Sequence, residues 1–367
     1  MDATTTKAKN HTPPSAAQRP QTEIRHGLER VDEYGWLRAD NWQEVMRSPE
    51  TLDPDIRAYL EAENAYCAAE MTDTEALQET LFAEMKGRIK EDDTSVPAAD
   101  GPFDYYSSYV TGGQHPLYCR RPRGGGAEQV LIDGNALAEP HDYFRIGGVA
   151  HSRDHALIAY GADTNGSEYY AIRILDAVTL EQHGELIPDT AGGFVWAGDG
   201  KTLFYVKLDE NHRPREVYRH VIGTSPGDDT LVYEEPDAGF YVGVSVTQDH
   251  RFVLIATHDH QTAEVRLIDA DKPDQPPVLV APRKAEQEYS IEHHDGRLII
   301  LTNADEAEDF KIVETAADAP GRENWSDIEP HRPGRLILDI VVYADHLVRL
   351  EREDGLPRIV IHRLSDG

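Results

Sequence analysis

One phrase recurs along this chain and constrains its fold more than any other feature: a turn containing Asp, then a strand of β-branched and aromatic residues. It appears as ADGPFDYYSSY, SRDHALIAY, GDGKTLFYV, QDHRFVLIA, HDGRLIILT and ADHLVRLE, anchored by Asp100, Asp154, Asp199, Asp249, Asp295 and Asp345. Successive anchors lie 45 to 54 residues apart. A polar turn and a further strand follow, as in EYYAIRILD, REVYRHVIG, AEVRLID, FKIVE and RIVIH. Two adjacent strands repeated at this interval match the spacing of four-stranded propeller blades. The expected fold is therefore mostly β: a β-propeller of four-stranded blades over residues 95–367, six of them visible, preceded by a short helical segment. Propellers close on themselves or keep exposed edge strands. The last phrase runs almost to Gly367, which leaves two readings, a six-bladed ring or a ring that lacks its last blade.

Residues 21–94 read as the helical segment. Asp53-Pro54 has the form of an N-cap with Pro at the first helical position, and Ile56, Tyr59, Leu60 and Tyr66 recur at helical spacing. Thr72-x-x-Glu75 reads as a capping box opening a second helix, with Leu77, Leu81, Met85 and Ile89 along one face. Both helices are amphipathic, and each needs a surface to lie against. Residues 1–20 lack the apolar core of a signal peptide and read as a flexible tail.

Charge narrows the partners. Against 36 Lys and Arg stand 67 Asp and Glu, a formal net charge of −31, which repels phosphate backbones and anionic lipid. Nucleic acid and membrane are thus excluded as partners, and no stretch approaches the roughly 18 apolar residues of a membrane span. The same field either attracts cationic ligands or does no more than keep the protein soluble. Two cysteines, Cys67 and Cys119, form no disulfide framework, which suits a cytoplasmic location.

Short motifs take their meaning from their surroundings. Gly223-Thr-Ser225-Pro-Gly227 fits the G-x-S-x-G pattern of a nucleophile elbow. An elbow needs a strand before it and a helix after it, whereas this segment lies between two strands. Pro226 also has no N–H to offer an oxyanion. His258 with His260, His151 with His155, and His293 with His294 are pairs without a third ligand nearby, and zinc takes three or four. All three read as solvated loop histidines. Lys90 to Asp93 and the group Arg120, Arg121, Arg123 read as surface charge, and Asp209 to Arg215 as a hairpin loop of the kind that meets partners. No fingerprint of a nucleotide, calcium or zinc cofactor is present, and no cofactor is expected.

The longer phrases carry a resemblance. YGWLRADNWQEVM, AYLEAENAYCAAEM, MKGRIKEDDTSVP, YYSSYVTGGQHPLYCRRP, TLFYVKLDENHRPREVYRH, LVYEEPDAGFYV, THDHQTAEVRLID and NADEAEDFKIVE resemble the amino-terminal half of the bacterial oligopeptidase B family, a branch of the prolyl oligopeptidase clan. That resemblance implies a seven-bladed propeller covering an α/β-hydrolase domain that cleaves short peptides after Arg or Lys. It implies that the helical segment packs on the hydrolase domain, that the propeller filters substrates by size, and that the hydrolase domain selects the cationic side chain. The catalytic triad lies in that domain, so no residue here is expected to be catalytic, and the chain alone is expected to be inactive. Ser108 stands where the family phrase implies Arg, and Glu168 in GSEYY matches an acidic position that pairs with the hydrolase domain.

Three functions follow. The chain is the propeller portion of a serine oligopeptidase acting on short cationic peptides; or it assembles with a hydrolase supplied by a separate chain; or it is a stand-alone propeller that works as a binding module. A helical leader shaped to coat another domain favours a hydrolase partner, in cis or in trans.

Overall fold

The computed structural model describes residues 11–365, and the chain divides after Asn135 into two compact units. The first unit opens with a hairpin that the helical reading of residues 21–94 did not include. Gln21–Arg25 (β1) and Leu28–Asp32 (β2) pair antiparallel, and the turn between them is made by His26 and Gly27 at φ 52° and 77°. The flexible-tail reading of residues 1–20 is corrected in part. Met1 to Asn10 lie outside the described residues, but the Trp36 indole N–H donates to the Ala17 carbonyl at 2.7 Å. Arg19 donates its backbone N–H to Glu33 at 2.8 Å and lays its guanidinium 4.1 Å from the Trp36 ring centre.

Three helices follow, Trp42–Arg47 (α1), Pro54–Met71 (α2) and Glu75–Lys86 (α3). Asp53 caps α2 as its sequence implied, accepting the N–H groups of Asp55 at 2.8 Å and Ile56 at 3.3 Å. The capping box at Thr72 does not form. Residues 71–75 keep right-handed helical dihedrals through a 3-10 turn, whereas a cap requires an extended residue. The Thr72 hydroxyl instead donates back to the Ala68 carbonyl at 2.9 Å. Ile56 is buried, but Leu60, Leu77, Leu81, Met85 and Ile89 are all exposed. Ala98–Asp100 (β3), Phe103–Ser108 (β4), Leu117–Pro122 (β5) and Gln129–Asp133 (β6) complete the unit as a four-stranded antiparallel blade.

The second unit holds five more blades. Blade 2 comprises Arg145–His151 (β7), Leu157–Asp163 (β8), Tyr170–Asp176 (β9) and the first part of Gln182–Trp196 (β10). The rest of β10 serves as the first strand of blade 3, with Thr202–Leu208 (β11), Pro214–Val221 (β12) and Thr230–Glu234 (β13), so blades 2 and 3 form one seven-stranded sheet. β10 changes partner at Gly192, whose φ is 85° and where an added Cβ would meet the Tyr170 ring at 2.8 Å; only glycine fits both demands. Blade 4 is Tyr241–Val246 (β14), Phe252–His258 (β15), Ala263–Asp269 (β16) and Val278–Leu279 (β17), and blade 5 is Tyr289–His294 (β18), Arg297–Thr302 (β19), Lys311–Ala316 (β20) and Ser326–Glu329 (β21). Blade 6 has three strands rather than the four expected: Arg335–Val342 (β22), His346–Glu353 (β23) and Leu356–Arg363 (β24).

Asp154, Asp199, Asp249, Asp295 and Asp345 lie between the first and second strands of their blades, and Asp100 is the last residue of β3 at the equivalent turn. Asp154, Asp199 and Asp249 each accept the N–H two residues on, at 3.1, 2.9 and 3.0 Å. The residue after the anchor takes positive φ in five blades, at Gly101, His155, Gly200, His250 and Gly296. The repeat read from the sequence is thus a recurring tight turn, whose carboxylate satisfies backbone donors at Asp154, Asp199 and Asp249.

The core lies between blades, because the central strands are apolar on both faces. In β15, Val253 and Ile255 pack with Phe204, Val206 and Val217 of blade 3, while Leu254 packs with Ile291, Leu298 and Ile300 of blade 5. In β19 the alternation repeats, Leu298 and Ile300 against blade 4, Ile299 and Leu301 against Ile337, Ile340 and Leu347 of blade 6. Among the described residues the other face of blade 6 has no such cover: Leu350, Ile359 and Ile361 share it by register and are exposed.

Candidate functional site

The loops joining second to third strands in blades 2 and 3 meet each other, and the blade 3 loop reaches the start of β14 in blade 4. In blade 2, buried Asp163 accepts the N–H groups of Asn165 and Gly166, both at 3.0 Å, and of Glu168 at 2.8 Å. That bonding holds Glu168 at φ 61° with its side chain exposed, a backbone state uncommon for a residue with a Cβ and common at functional positions. Next to it, Tyr169 stands edge-on to His212 of the blade 3 loop, ring centres 4.3 Å apart. Asp209 organises that loop by accepting the N–H groups of Asn211 at 2.8 Å and Arg213 at 3.0 Å. Arg213 then lies 4.6 Å from the Tyr241 ring centre of blade 4, and Tyr241 is 6.2 Å from the ring of His258. Glu168, the Asp209 to Arg215 loop and His258, singled out separately in the sequence, are thereby drawn into one continuous surface.

Beneath it lies an ionic clamp between residues far apart in the sequence, which no local motif signals. Glu235, 1% exposed, receives both terminal nitrogens of Arg283, at 3.2 and 2.6 Å. The Tyr233 hydroxyl donates to Glu235 at 2.7 Å, Arg283 also reaches Thr257 at 3.1 Å, and Phe240 stacks under its guanidinium at 4.0 Å. Buried Glu264 accepts the Arg283 backbone N–H at 2.9 Å and pairs with Arg266 at 2.6 Å. Burial works against the Glu235 charge, but the Arg283 bonds and the Asp237 N–H outweigh it and hold the carboxyl below its usual range. Burial and the Glu235 hydrogen bond push the Tyr233 phenol up to about 12. The clamp ties the end of blade 3 to blade 4 and fixes the floor of the loop surface.

Ser225 is not a nucleophile elbow. Its hydroxyl accepts the Gly227 N–H at 3.3 Å and caps a short 3-10 turn, Pro226–Asp228. The same loop joins His220 to Asp229, which bond at 2.7 Å, and Asp229 also accepts the Tyr205 hydroxyl at 2.8 Å. His220 is wholly buried and its Nε2 has no hydrogen-bond partner among the described residues, so no proton relay reaches Ser225.

Two readings of surface character are corrected. His293 is not a solvated loop histidine: it is buried, its Nδ1–H donates to Asp249 at 2.6 Å and its Nε2 accepts the Gly296 N–H at 3.2 Å. It joins the blade 4 turn to blade 5, a placement that spacing alone does not encode. Beside it, burial first and the Asp249 charge after it raise the Glu292 carboxyl above its ordinary range, against the Gln248 N–H that it accepts at 2.8 Å. Arg120 is buried likewise, donating to Gln129 at 2.9 Å and stacking 4.3 Å from the Phe103 ring centre. Arg121 and Arg123 remain exposed beside Asp104. The rings of His151 and His155 are tilted against each other with centres 5.0 Å apart, His258 donates to the Asp259 carbonyl at 3.2 Å, and His294 to the Ala344 carbonyl at 3.0 Å. Ser108, at the end of β4, shares a 3.1 Å hydroxyl bond with Thr94.

Comparison with known proteins identifies this architecture. The profile of the family described as prolyl oligopeptidase, N-terminal beta-propeller domain, matches residues 13–367. The chain belongs to the prolyl oligopeptidase family. Among curated relatives of this propeller part, dipeptidyl aminopeptidase BI of Pseudoxanthomonas mexicana is 38% identical over 99% of the chain and 51% of the relative. Protease 2 of Moraxella lacunata is 30% identical over 95% of the chain and 50% of the relative. Oligopeptidase B from Leishmania major superposes with a TM-score of 0.87 at 29% identity, covering 97% of this chain and 52% of that one. Oligopeptidase B from Trypanosoma brucei gives 0.86 at 32%, over 96% and 51%. The chain therefore spans about half the length of the relatives it matches, and the resemblance and fold class read from the sequence are borne out. No helix among the described residues is long and apolar enough to cross a membrane.

Proposed function

We propose that this chain is the leader and propeller of a serine oligopeptidase that cleaves short peptides after Arg or Lys, its triad supplied by a hydrolase domain in cis or in trans. The observation that carries the proposal is one of coverage: peptidases match 95 to 99% of this chain with only half of their own length. Three further features support it. The exposed apolar residues of α2 and α3 give residues 21–94 a surface suited to packing on a hydrolase domain. The uncovered face of β24 suits a seventh blade. Glu168, held rigid at the edge of the loop surface, suits an interdomain ion pair. In this reading the propeller admits peptides by size, and the two unpaired cysteines fit a cytoplasmic setting.

The test is reconstitution. The chain alone is expected not to hydrolyse Arg or Lys amides, and adding a separately made family hydrolase domain with its seventh blade is expected to raise its melting temperature and yield turnover, since a partner that binds only the folded state stabilises it. Absence of association, together with a cooperative melt unchanged by the added domain, refutes the proposal in favour of a stand-alone binding module. A second reading, removal of dipeptides from free amino termini, is favoured by the higher identity to dipeptidyl aminopeptidase BI, 38% against 30% for protease 2. Acetylating the substrate's amino terminus separates the two, because it abolishes only the dipeptidyl activity.

A further inference from the structure

The loop joining β11 to β12 carries guanidinium donors that this chain's own acids do not use. Arg213 is half-buried, and among the described residues its guanidinium makes no hydrogen bond or ion pair; its buried Nε–H bonds nothing. The Nε–H of Arg215, two residues on, is buried and unbonded likewise, although its Nη2 pairs with Glu234 at 2.9 Å. A buried N–H of this kind is costly unless a ligand or water meets it. Acidic partners are not scarce, with 67 Asp and Glu against 36 Lys and Arg, and Arg251, Arg283, Arg335 and Arg349, buried or half-buried, each pair with one. Arg213 is also held in place. Asp209 accepts its backbone N–H at 3.0 Å and donates its own N–H to the Arg213 carbonyl at 2.8 Å. His212 before it takes φ 61°, and the Tyr241 ring centre lies 4.6 Å from the guanidinium carbon. A cation fixed in this way loses less entropy on binding than a free side chain, and backbone strain of this sort gathers at ligand-binding positions.

We infer that Arg213, with Arg215 beside it, binds the C-terminal carboxylate of a short peptide. The planar fork of a guanidinium matches the two oxygens of a carboxylate, which a lysine in its place would not. Phosphate also suits a fork, but the −31 charge of the chain opposes a doubly charged anion more strongly than a singly charged one. The choice of ligand rests on the peptidase proposal, because a short peptide is what that activity brings to the loop surface, and a free C-terminus is the one carboxylate that every such peptide carries. A residue that reads this end of the substrate favours short peptides over internal stretches of a long chain, a selection by terminus in addition to the selection by size.

The test is binding of a tripeptide without charged side chains, labelled with a fluorophore at its amino terminus, to the full 367-residue chain, followed by anisotropy. The free acid is expected to bind, and the C-terminal amide to bind about tenfold more weakly, the lower end of what a hydrogen bond between charged groups contributes. Arg213→Gln is expected to abolish that preference with little change in melting temperature, because the guanidinium makes no hydrogen bond that folding needs. Arg213→Lys, which keeps the charge and loses the fork, is expected to retain part of the preference. The inference is overturned if the parent binds acid and amide alike or binds neither, or if Arg213→Gln binds the acid like the parent. It is overturned equally if Lys201→Gln, an exposed cation in the Asp199 turn, weakens binding as much, which would assign the effect to net charge. A separately made hydrolase domain distinguishes this inference from the peptidase proposal. Failure of the parent chain to associate with it refutes that proposal and leaves the peptide measurement unaffected, whereas loss of association in Arg213→Gln with peptide binding intact assigns Arg213 to an interdomain ion pair and overturns the peptide site.

Discussion

Replacing Arg283 with Met tests the account of the loop surface at its floor. Glu235 is 1% exposed and takes two of its hydrogen bonds from Arg283. Removing one partner of a buried ion pair leaves an uncompensated charge, which costs about 3 to 5 kcal/mol. Replacing both partners, as Glu235→Gln with Arg283→Met, removes that charge and is expected to recover most of the loss. The pH response has a definite sign. In the parent, Glu235 is held below its usual range, so its contribution is present above the unfolded value near pH 4.3 and is lost as pH falls through the folded one. In Arg283→Met the same carboxyl is buried without its cation, so its folded-state pKa is expected above the unfolded value and the variant gains stability relative to the parent as pH falls. Urea unfolding followed by tryptophan fluorescence at pH 7.5 and pH 5 measures both effects. A loss below about 1 kcal/mol, the range of an exposed pair, or a double variant no more stable than the single one, would refute the reasoning.

Other outcomes follow from single sites. Asp199→Ala removes the acceptor for the Lys201 and Thr202 N–H groups and the Thr202 hydroxyl; it is expected to cost about 1 to 3 kcal/mol in urea unfolding, while Asp199→Asn keeps part of it. Glu292→Gln is expected to stabilise the protein at pH 7, because a carboxyl raised by burial penalises the charged form there, and that penalty disappears as pH falls through the folded value; scanning calorimetry at pH 7 and pH 4 should show the advantage at the first alone. Burial pushes the Cys119 thiol up to about 11, whereas Cys67 is exposed. A thiol reagent at pH 8 should therefore modify one cysteine in the native protein and two after denaturation.

Much of this architecture is legible in the sequence. The Asp turns announced their blades because the turn is a local device: at Asp154, Asp199 and Asp249 a carboxylate two residues before the N–H it binds, and in five blades a following residue at positive φ. Asp53-Pro54 announced its helix for the same reason, since a cap is satisfied within one turn. Where local signals competed, tertiary context decided. Thr72-x-x-Glu75 has the pattern of a cap, yet the chain stays helical through it. Ser225 has the pattern of an elbow, yet its loop connects two strands.

The sequence by itself determined the class of fold and the number of visible blades, because strand alternation and turn chemistry repeat with a short range. It could not tell that β10 serves two blades, since the partner change depends on Gly192 meeting Tyr170 across the sheet. Nor could it separate buried His293 and Arg120 from solvated surface charge, or join Glu235 to Arg283 across 48 residues. Burial and ion pairing are properties of neighbours brought together between blades, and the distance along the chain that separates those neighbours carries no trace of the distance in space. The same holds for Arg213, whose guanidinium meets the Tyr241 ring only because blades 3 and 4 pack side by side.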